Sequence, residues 1–394
     1  MKAMKASLAG VGAFVALTIL SCIGGKQEKL QLTDSGLNPA KFDTVINDVP
    51  VKLYTLKNKQ GMEVCVTNFG GRVVSMMVPD RDGKMTDVVL GYDNIAQYAD
   101  AENFGSDFGA SIGRYANRIK NGQFKVGDET IQLPQNNFGH CLHGGPTGWQ
   151  YQVYSAEQTD DQTLKLTLVS PDGDNQFPGE VTATVTYALT DDNALDIKME
   201  AETNKPTIVN MTNHSYFNLN GDPSQPAMDM ELYINADFFT PADETFMPTG
   251  EVRPVTGTPM DFRTPHAIQD SLRMDNEQVK RGNGFDHNWI LNTYKDGMGD
   301  DTKVAASLYS PKTGILLEAF TNEPGMQVYT GNFQGIDGEQ DKVRKGGVKY
   351  PQRPSVCLES QKYPDSPNHP EWPSPYLNPG EKYMSHLVFK FSVK

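Results

Sequence analysis

The sequence predicts an all-β fold, a large antiparallel β-sandwich with few short helices. Apolar and polar residues alternate with a period of two in the segments 164–168, 181–187 and 195–201. This alternation is typical of antiparallel strands that bury one face and expose the other. Turn sequences such as Asp82-Gly83 separate the strand-like segments, as expected for strands joined by tight turns.

The chain is predicted to form one domain, residues 46–394. Hydrophobic residues make up 38% of the 394 residues, which suffices for a large core without disulfides. The 25 prolines and 36 glycines are scattered, and no repeat or change of composition divides the chain, so we expect many turns within a single unit. Helical patterns are short, and helical turns are expected near 96–100 and 267–272.

The acidic composition excludes some classes of partner. The formal net charge is −14 at pH 7, which disfavours binding to nucleic acid or to an anionic membrane surface. The charge says little about a neutral small molecule, because an uncharged ligand is not steered by the field of the protein. We expect a monomer.

The N-terminus has the composition of an export signal. Lys2 and Lys5 precede an apolar segment, residues 8–20, that is too short for a stable transmembrane helix. Ser21 before Cys22 resembles a bacterial lipobox, although Leu20 stands where a small residue is more usual. We therefore expect a lipoprotein-type signal peptide at 1–21, lipidated Cys22 as the mature N-terminus, and a flexible tether at 22–45. Plain secretion and an uncleaved anchor are the alternatives.

The expected location is outside the cytoplasm of a bacterium, in the periplasm or on a membrane through the lipid. With Cys22 lipidated, Cys65, Cys141 and Cys357 are left, and three cysteines cannot all pair. Cys65 lies in a strand pattern and is expected to be a buried thiol. No pair of cysteines has the spacing of a metal site.

Two polar segments in the first half of the chain are candidates for a ligand site. The first combines residues 113–119 with residues 142–145, where Asn117 and Arg118 offer donors for hydroxyl groups and His143 stands before two glycines. The second, residues 212–218, places His214 between polar and aromatic residues, an environment in which an imidazole can titrate. Taken alone, each histidine also fits a structural role in a turn or in the core.

Two further candidates lie in the second half of the chain. In residues 284–289, Asp286 can accept hydrogen bonds from hydroxyl groups, and His287 is a weaker candidate. In residues 355–361, period-two alternation sends Val356 and Leu358 to one face of a strand and Cys357 and Glu359 to the other. A glutamate inside an apolar strand is unfavourable for stability, which favours a functional role for Glu359.

Together these segments resemble the aldose 1-epimerase (galactose mutarotase) family over nearly the whole chain after residue 51. The matching motifs, in the order of the family, are GRYANRI at 113–119, LHGG at 142–145, TNHSYFNL at 212–219, PMDF at 259–262, FDH at 285–287, QVYTGNF at 327–333, LESQKYPDSPN at 358–368 and LNPGEKY at 377–383. Small departures, Asn68-Phe69-Gly70-Gly71 and Ser360-Gln361, leave the catalytic set complete.

The resemblance implies a galactose mutarotase-like sandwich that interconverts the α and β anomers of free aldoses such as galactose and glucose. It implies Glu359 as general base and His214 as general acid. The residues that would hold the sugar are Asn117, Arg118, His143, Asp286 and Gln327. No cofactor or catalytic metal is implied, and a structural Ca²⁺ bound by backbone and carboxylate oxygens remains open.

The chemistry explains why these residue types are needed. Opening an aldose ring removes the proton of the C1 hydroxyl group and gives a proton to the ring oxygen, so a carboxylate and an imidazolium are suitable partners. We expect a nearby carboxylate, such as Asp286, to help keep His214 charged.

Rival interpretations use the same residues differently. A glycoside hydrolase would pair Asp286 with Glu359, and a non-catalytic sugar-binding module would not need both Glu359 and His214. A hexose-6-phosphate epimerase should show more basic residues than Arg114 and Arg118 around its site. A metal centre built from His143, His214 and Asp286 has no support from their spacing.

Overall fold

The computed structural model describes residues 31–394, and the predicted signal peptide and Cys22 lie outside them. The predicted all-β fold is confirmed, since antiparallel sheets dominate and helices are few and short. The largest sheet has nine strands. In spatial order its strands are Ser155–Gln158, Thr163–Ser170, Val181–Leu189, Ala194–Thr203, Tyr383–Val393, Ile315–Thr321, Val304–Tyr309, Glu231–Ile234 and His266–Ala267.

The three segments with clear alternation are neighbouring strands of this sheet. Residues 163–170 pair with 181–189, and 181–189 pair in turn with 194–203, all antiparallel. Along Val181–Leu189 every second residue is buried, as period-two alternation predicts for a sheet with one face on the core.

A six-stranded sheet and a four-stranded sheet complete the large β-structure. The six-stranded sheet consists, in spatial order, of Tyr216–Phe217, Val356–Gln361, Gly325–Tyr329, Asp286–Ile290, Phe238–Thr240 and Arg253–Pro254. The four-stranded sheet consists of Leu53–Lys57, Glu63–Thr67, Arg72–Pro79 and Met85–Asp87.

The remaining elements are short. Two-stranded pairs are Thr44–Ile46 with Val49–Val51, Ala110–Ile112 with Thr212–His214, Arg118–Ile119 with Cys141–Leu142, Gln123–Val126 with Glu129–Gln132, Thr207–Ile208 with Tyr376–Leu377, and Tyr294–Lys295 with Met298–Gly299. The α-helices of the described region are Ile95–Ala99, Ala101–Phe104, Ile268–Leu272 and Glu277–Arg281. The 3₁₀-helices are Pro39–Lys41, Lys120–Gly122, Trp149–Tyr151, Asp174–Gln176, Glu339–Asp341, Lys345–Gly347 and Ser366–Asn368. Both predicted helical turns are present.

The largest hydrophobic cluster of the described residues contains side chains from the nine-, six- and four-stranded sheets. Leu166 and Ile197 of the nine-stranded sheet belong to the same buried cluster as Leu358 and Trp289 of the six-stranded sheet and Val64 of the four-stranded sheet. Burying the inner faces of facing sheets is the main stabilising contribution in a sandwich. The other face of the six-stranded sheet points away from this core and is therefore available to form a ligand-binding site.

The folded unit begins earlier than predicted. Leu37 and Phe42 are buried and pack in a second hydrophobic cluster with Val51 and Tyr98. The predicted tether of residues 22–45 is therefore too long at its C-terminal end, because residues from 32 onward belong to the compact unit. None of the helices between residues 31 and 394 is long and apolar enough to span a bilayer.

Candidate active site

A cavity of about 400 Å³ opens on the outer face of the six-stranded sheet. This volume is within the range of pockets for small-molecule ligands. Six of the seven residues predicted for catalysis or sugar binding line it, namely Asn117, Arg118, His143, His214, Asp286 and Glu359. The other lining residues are Gly105, Ser106, Asp107, Asn137, Phe138, Leu142, Tyr216, Phe246, Tyr329, Phe333 and Gln334.

Strand Val356–Gln361 positions Glu359 as the alternation predicted. Val356 and Leu358 enter the core between the sheets, whereas Cys357 packs in the second cluster and Glu359 lines the cavity. Glu359 pairs across the sheet with Gln327, and Cys357 pairs with Tyr216. The sheet therefore holds the carboxylate on a rigid strand.

The order of the strands separates two ends of the cavity. Tyr216 is on the strand beside that of Glu359, and Asp286 is on the second strand on the other side. Neighbouring strands are about 4.8 Å apart, so the backbones that carry Glu359 and Asp286 are separated by about 10 Å. A sugar ring between them would meet Glu359 and His214 at one end and Asp286 at the other.

His214 and Glu359 form a close buried pair. Nε2 of His214 lies 3.5 Å from Oε2 of Glu359, and both side chains are buried. Burial raises the pKa of Glu359 well above its usual value, and the carboxylates of Asp286 and Asp107 raise it further while Arg118 opposes them. In the absence of ligand, the surroundings of Glu359 thus favour its neutral form.

The surroundings of His214 also favour the neutral form. Burial lowers the pKa of His214 to about 3, and His143 acts in the same direction while Asp107 opposes it. The imidazole stacks on Tyr216, with ring centroids 4.9 Å apart, and faces the edge of His143 at 5.3 Å. Asp286 was expected to keep His214 charged, but the carboxylate that raises the pKa of His214 is that of Asp107, and its effect is smaller than that of burial.

His143 is held in one tautomer by its neighbour Asn117. Both residues have left-handed backbone conformations, with φ of +51° and +63°. The backbone N–H of Asn117 donates to Nδ1 of His143 at 3.1 Å, so the ring hydrogen is on Nε2. Burial and then Arg118 lower the pKa of His143 to about 3, which makes it a neutral donor rather than an acid.

Arg118, Asp286 and Gln327 form the other end of the site. Nη1 of Arg118 lies 4.0 Å from Oδ2 of Asp286, and its Nε donates to Oδ1 of Asn137 at 3.1 Å. The amide of Gln327 donates to Oδ1 of Asp286 at 2.6 Å. Gln327 does not line the cavity, so in this structure it contacts Asp286 and leaves Asp286 and Arg118 to face a ligand.

Asp107 is a site residue that the sequence did not indicate. It lies in the loop after the helix Ala101–Phe104 and lines the cavity. Its carboxylate and ring nitrogens of His143 and His214 lie within 4.8 Å of one another. Among the described residues, its Oδ1 is buried without a hydrogen-bond partner. No motif surrounds Asp107, and its proximity to the histidines arises only from the fold.

Other residues of the candidate segments are structural. Arg114 is buried and donates to the carbonyl oxygens of Pro178 and Gly179, at 2.9 Å each. His287 is buried, and its Nδ1 accepts the backbone N–H of Asp286 at 3.1 Å. A Cβ atom on Gly144 would lie 2.1 Å from the carbonyl oxygen of Gly113, so this glycine permits close contact between backbones rather than with a ligand.

Two groups of side chains have the composition of a metal site, Asp107 with His143 and His214, and His214 with Cys357 and Glu359. A histidine that binds a metal usually donates its other N–H, whereas Nδ1 of His143 already accepts a backbone hydrogen. Burial raises the pKa of Cys357 well above its usual value, which disfavours the thiolate that binds metals. Neither group suits a metal ion.

A β-sandwich whose cavity pairs a buried imidazole with a carboxylate defines a class of enzyme, one that moves protons on a small polar ligand. Residues 52–390 match the aldose 1-epimerase family. Aldose 1-epimerase from Escherichia coli (strain K12) is 39% identical over 344 residues, which cover 87% of this chain and 95% of that protein. Galactose mutarotase from Mus musculus is 39% identical over 355 residues, 89% of this chain and 98% of that protein. The chain belongs to the aldose 1-epimerase family.

Solved structures agree with this assignment. Galactose 1-epimerase from Lactobacillus acidophilus NCFM has a TM-score of 0.75 at 31% identity, covering 89% of this chain and 97% of its own. An aldose epimerase homologue from C. elegans has a TM-score of 0.78 at 28% identity, covering 87% of this chain and 99% of its own. The predicted resemblance to this family is confirmed.

Proposed function

We propose that the chain interconverts the α and β anomers of free aldoses such as galactose and glucose, with Glu359 as general base and His214 as general acid. The observation that carries these roles is the 3.5 Å separation of the two side chains on the wall of the cavity. Family membership supports the reaction, and the geometry supports the choice of residues.

The reaction needs only two proton transfers. Glu359 takes the proton of the C1 hydroxyl group while His214 gives a proton to the ring oxygen, and the bond between C1 and the ring oxygen breaks as C1 becomes a carbonyl. Rotation about the C1–C2 bond presents the other face of the carbonyl group. Ring closure returns both protons and gives the opposite anomer. The protein is regenerated, so this cycle consumes no co-reactant.

The electrostatics of the pair favour ring opening. Opening begins with Glu359 anionic and His214 cationic and ends with both side chains neutral. Burial raises the pKa of Glu359 and lowers that of His214, so it makes the first a stronger base and the second a stronger acid. As a consequence, the state with anionic Glu359 and cationic His214, from which ring opening starts, is a minor form of the unliganded pair.

The remaining polar side chains of the cavity are proposed to hold the sugar hydroxyl groups. Arg118 supplies donors and Asp286 an acceptor at the end far from His214, and Gln327 orients Asp286 through its amide. His143 supplies a fixed Nε2–H donor beside His214, and Asn117 fixes that tautomer. Because Asp286 is engaged by Arg118 and Gln327, it is better placed to orient a substrate than to act as the second carboxylate of a glycoside hydrolase.

The direct test follows the anomers of pure sugars. Wild-type protein added to fresh α-galactose or α-glucose should speed the approach of optical rotation to its equilibrium value above the spontaneous rate. A nitrophenyl galactoside and a nitrophenyl glucoside, assayed in parallel, should remain intact. Rates equal to the spontaneous ones for every aldose tested would contradict the proposal, and release of nitrophenol would support hydrolysis instead.

We also propose export and lipidation, on the basis of Lys2, Lys5, the apolar segment 8–20 and Cys22. Cells grown with a fatty-acid analogue should label the wild-type protein and not Cys22→Ser. Labelling of both proteins, or of neither, would contradict lipidation at Cys22. The protein is further proposed to be a monomer, which light scattering on the purified protein measures directly.

A further inference from the structure

Three phenylalanine side chains stand at the mouth of the cavity, and the reaction itself does not use them. The rings of Phe138 and Phe246 are 5.5 Å apart, and those of Phe246 and Phe333 are 5.7 Å apart. Phe138 is 61% exposed and Phe333 41% exposed. This aromatic ledge, Phe138 with Phe246 and Phe333, is therefore a continuous apolar surface beside a polar cavity.

Hydrogen bonds connect the two loops that carry Phe138 and Phe246. Phe138 is at the tip of a tight turn in which the backbone N–H groups of Asn137 and His140 bond to each other's carbonyl oxygens. Nδ1 of His140 accepts the backbone N–H of Asn121 at 3.0 Å, and its Nε2 bonds to the hydroxyl group of Thr245 at 2.9 Å. The turn that carries Phe138 is thus tied to the residue that precedes Phe246.

Two of the three phenylalanines have unfavourable backbone conformations. Phe138 has φ of +47° and Phe246 has φ of +64°, in the left-handed region that large side chains rarely adopt. Such conformations cost on the order of 1–3 kcal/mol each and concentrate at ligand-binding sites. These conformations direct both rings to the cavity wall, which is consistent with a role in contacting a ligand.

The ledge lies at a particular end of the cavity. The guanidinium group of Arg118 lies 5.0 Å from the ring centroid of Phe246 and 4.0 Å from Asp286. The ledge therefore adjoins the end formed by Arg118 and Asp286, away from the pair that acts on C1 and the ring oxygen. In a pyranose ring C4 is opposite C1, so a substituent on O4 leaves the cavity at this end.

We propose that the aromatic ledge is a subsite for a second sugar ring, joined through O4 to the aldose in the cavity, so that the chain acts preferentially on free 1,4-linked disaccharides. This inference rests on the proposed function. The apolar C–H face of a sugar ring packs on an aromatic surface, as in other pockets that combine aromatic walls with a few polar groups. Two exposed rings beside a buried one provide such a surface.

The test compares cellobiose, which is 1,4-linked, with glucose, using NMR exchange between anomers to obtain KM and kcat for each. Phe138→Ala is expected to raise the ratio of the KM for cellobiose to the KM for glucose roughly three- to tenfold, the size of one aromatic contact. Phe138→Tyr should retain the wild-type ratio. The matched control is Phe238→Ala, which removes a phenylalanine that is 44% exposed and does not line the cavity.

The outcomes separate the subsite from the reaction. A ratio that is unchanged in Phe138→Ala, or that changes equally in Phe238→Ala, overturns the subsite and leaves the proposed function in place. If the wild-type protein does not accelerate the exchange between anomers of either sugar, the proposed function is contradicted instead. In that case calorimetric binding of cellobiose decides the subsite, which requires weaker binding by Phe138→Ala than by wild-type protein.

Discussion

Nε2 of His214 lies 3.5 Å from Oε2 of Glu359, and both side chains are buried. When the pair carries a single proton, that proton can be on either side chain, and only the arrangement with the proton on His214 starts ring opening. The pair therefore titrates as a unit, with apparent pKa values that belong to both residues.

Replacing Glu359 tests the assignment of the base. Glu359→Gln keeps the size of the side chain and removes its ability to accept the proton, so kcat should fall by roughly 10²- to 10⁴-fold. Affinity for galactose, measured by calorimetry, should change little. Glu318→Gln, the same replacement on the strand Ile315–Thr321 of the nine-stranded sheet, is the control and should behave as wild type. Wild-type turnover by the Glu359→Gln protein would refute the assignment.

The dependence of activity on pH should be bell-shaped, with an unusual assignment of its limbs. The pKa of His214 is about 3 and that of Glu359 is raised above its ordinary value, so as pH rises His214 releases the first proton and Glu359 the second. Between these steps a constant minor fraction has the proton on His214. Activity is lost at low pH because Glu359 is protonated as well as His214, and at high pH because the pair has lost its last proton.

Temperature distinguishes this assignment from the ordinary one. Ionisation of a carboxyl group has a small enthalpy, whereas that of an imidazole is large, so the alkaline limb should hardly move between 15 and 35 °C, roughly the range in which the fold is expected to be stable. Profiles of kcat/KM at the two temperatures provide the measurement. If the alkaline limb shifts with temperature as the ionisation of an imidazole does, that limb belongs to His214. Such a result would contradict the prediction that His214 loses its proton at a lower pH than Glu359.

Removing the charge of Asp107 should move the profile without abolishing it. The carboxylate of Asp107 raises the pKa of both His214 and Glu359, so in Asp107→Asn both limbs should shift to lower pH. The control is Asp128→Asn, which makes the same charge change at an exposed position in the turn between Gln123–Val126 and Glu129–Gln132. If both variants shift the profile equally, Asp107 has no specific role in the pair.

A glycine substitution tests the close packing beneath the site. Gly144→Ala places a Cβ 2.1 Å from the carbonyl oxygen of Gly113 at φ of +79° and should destabilise the fold by about 3 kcal/mol or more. Gly127→Ala, at φ of +59° with open space around the new Cβ, should cost only about 1–2 kcal/mol. Urea unfolding followed by tryptophan fluorescence measures both. Equal losses would show that backbone conformation, not the contact with Gly113, dominates.

The sequence predicted the parts of the molecule that depend on local pattern. The alternation of apolar and polar residues along 163–170 and 181–189 correctly predicted that each strand buries one face. The same alternation correctly predicted that Glu359 lies on the other face of its strand from Val356 and Leu358. The burial of Leu37 and Phe42 escaped prediction because a polar segment gives no sign of the surface that will receive its few apolar residues.

Contacts between distant segments were the other limit. Asp107 reaches His214 through the pairing of Ala110–Ile112 with Thr212–His214, which no short motif announces. The hydrogen bond from Gln327 to Asp286 likewise depends on two strands whose register the sequence does not state. Family motifs indicated which residues gather at the site, whereas the distances among them required the fold.

The strand Val356–Gln361 has a consequence for how this protein can fail. Its residues alternate between the core and the cavity side, so a shift of one residue in pairing would bury Glu359 in the core and turn Leu358 toward the substrate. Molecules with this shifted pairing would be both unstable and inactive, so a change in the register of this strand would affect stability and activity together. In variants that destabilise the core, the activity of each correctly folded molecule should therefore stay constant. The total activity should be proportional to the number of molecules in which this strand has its native register.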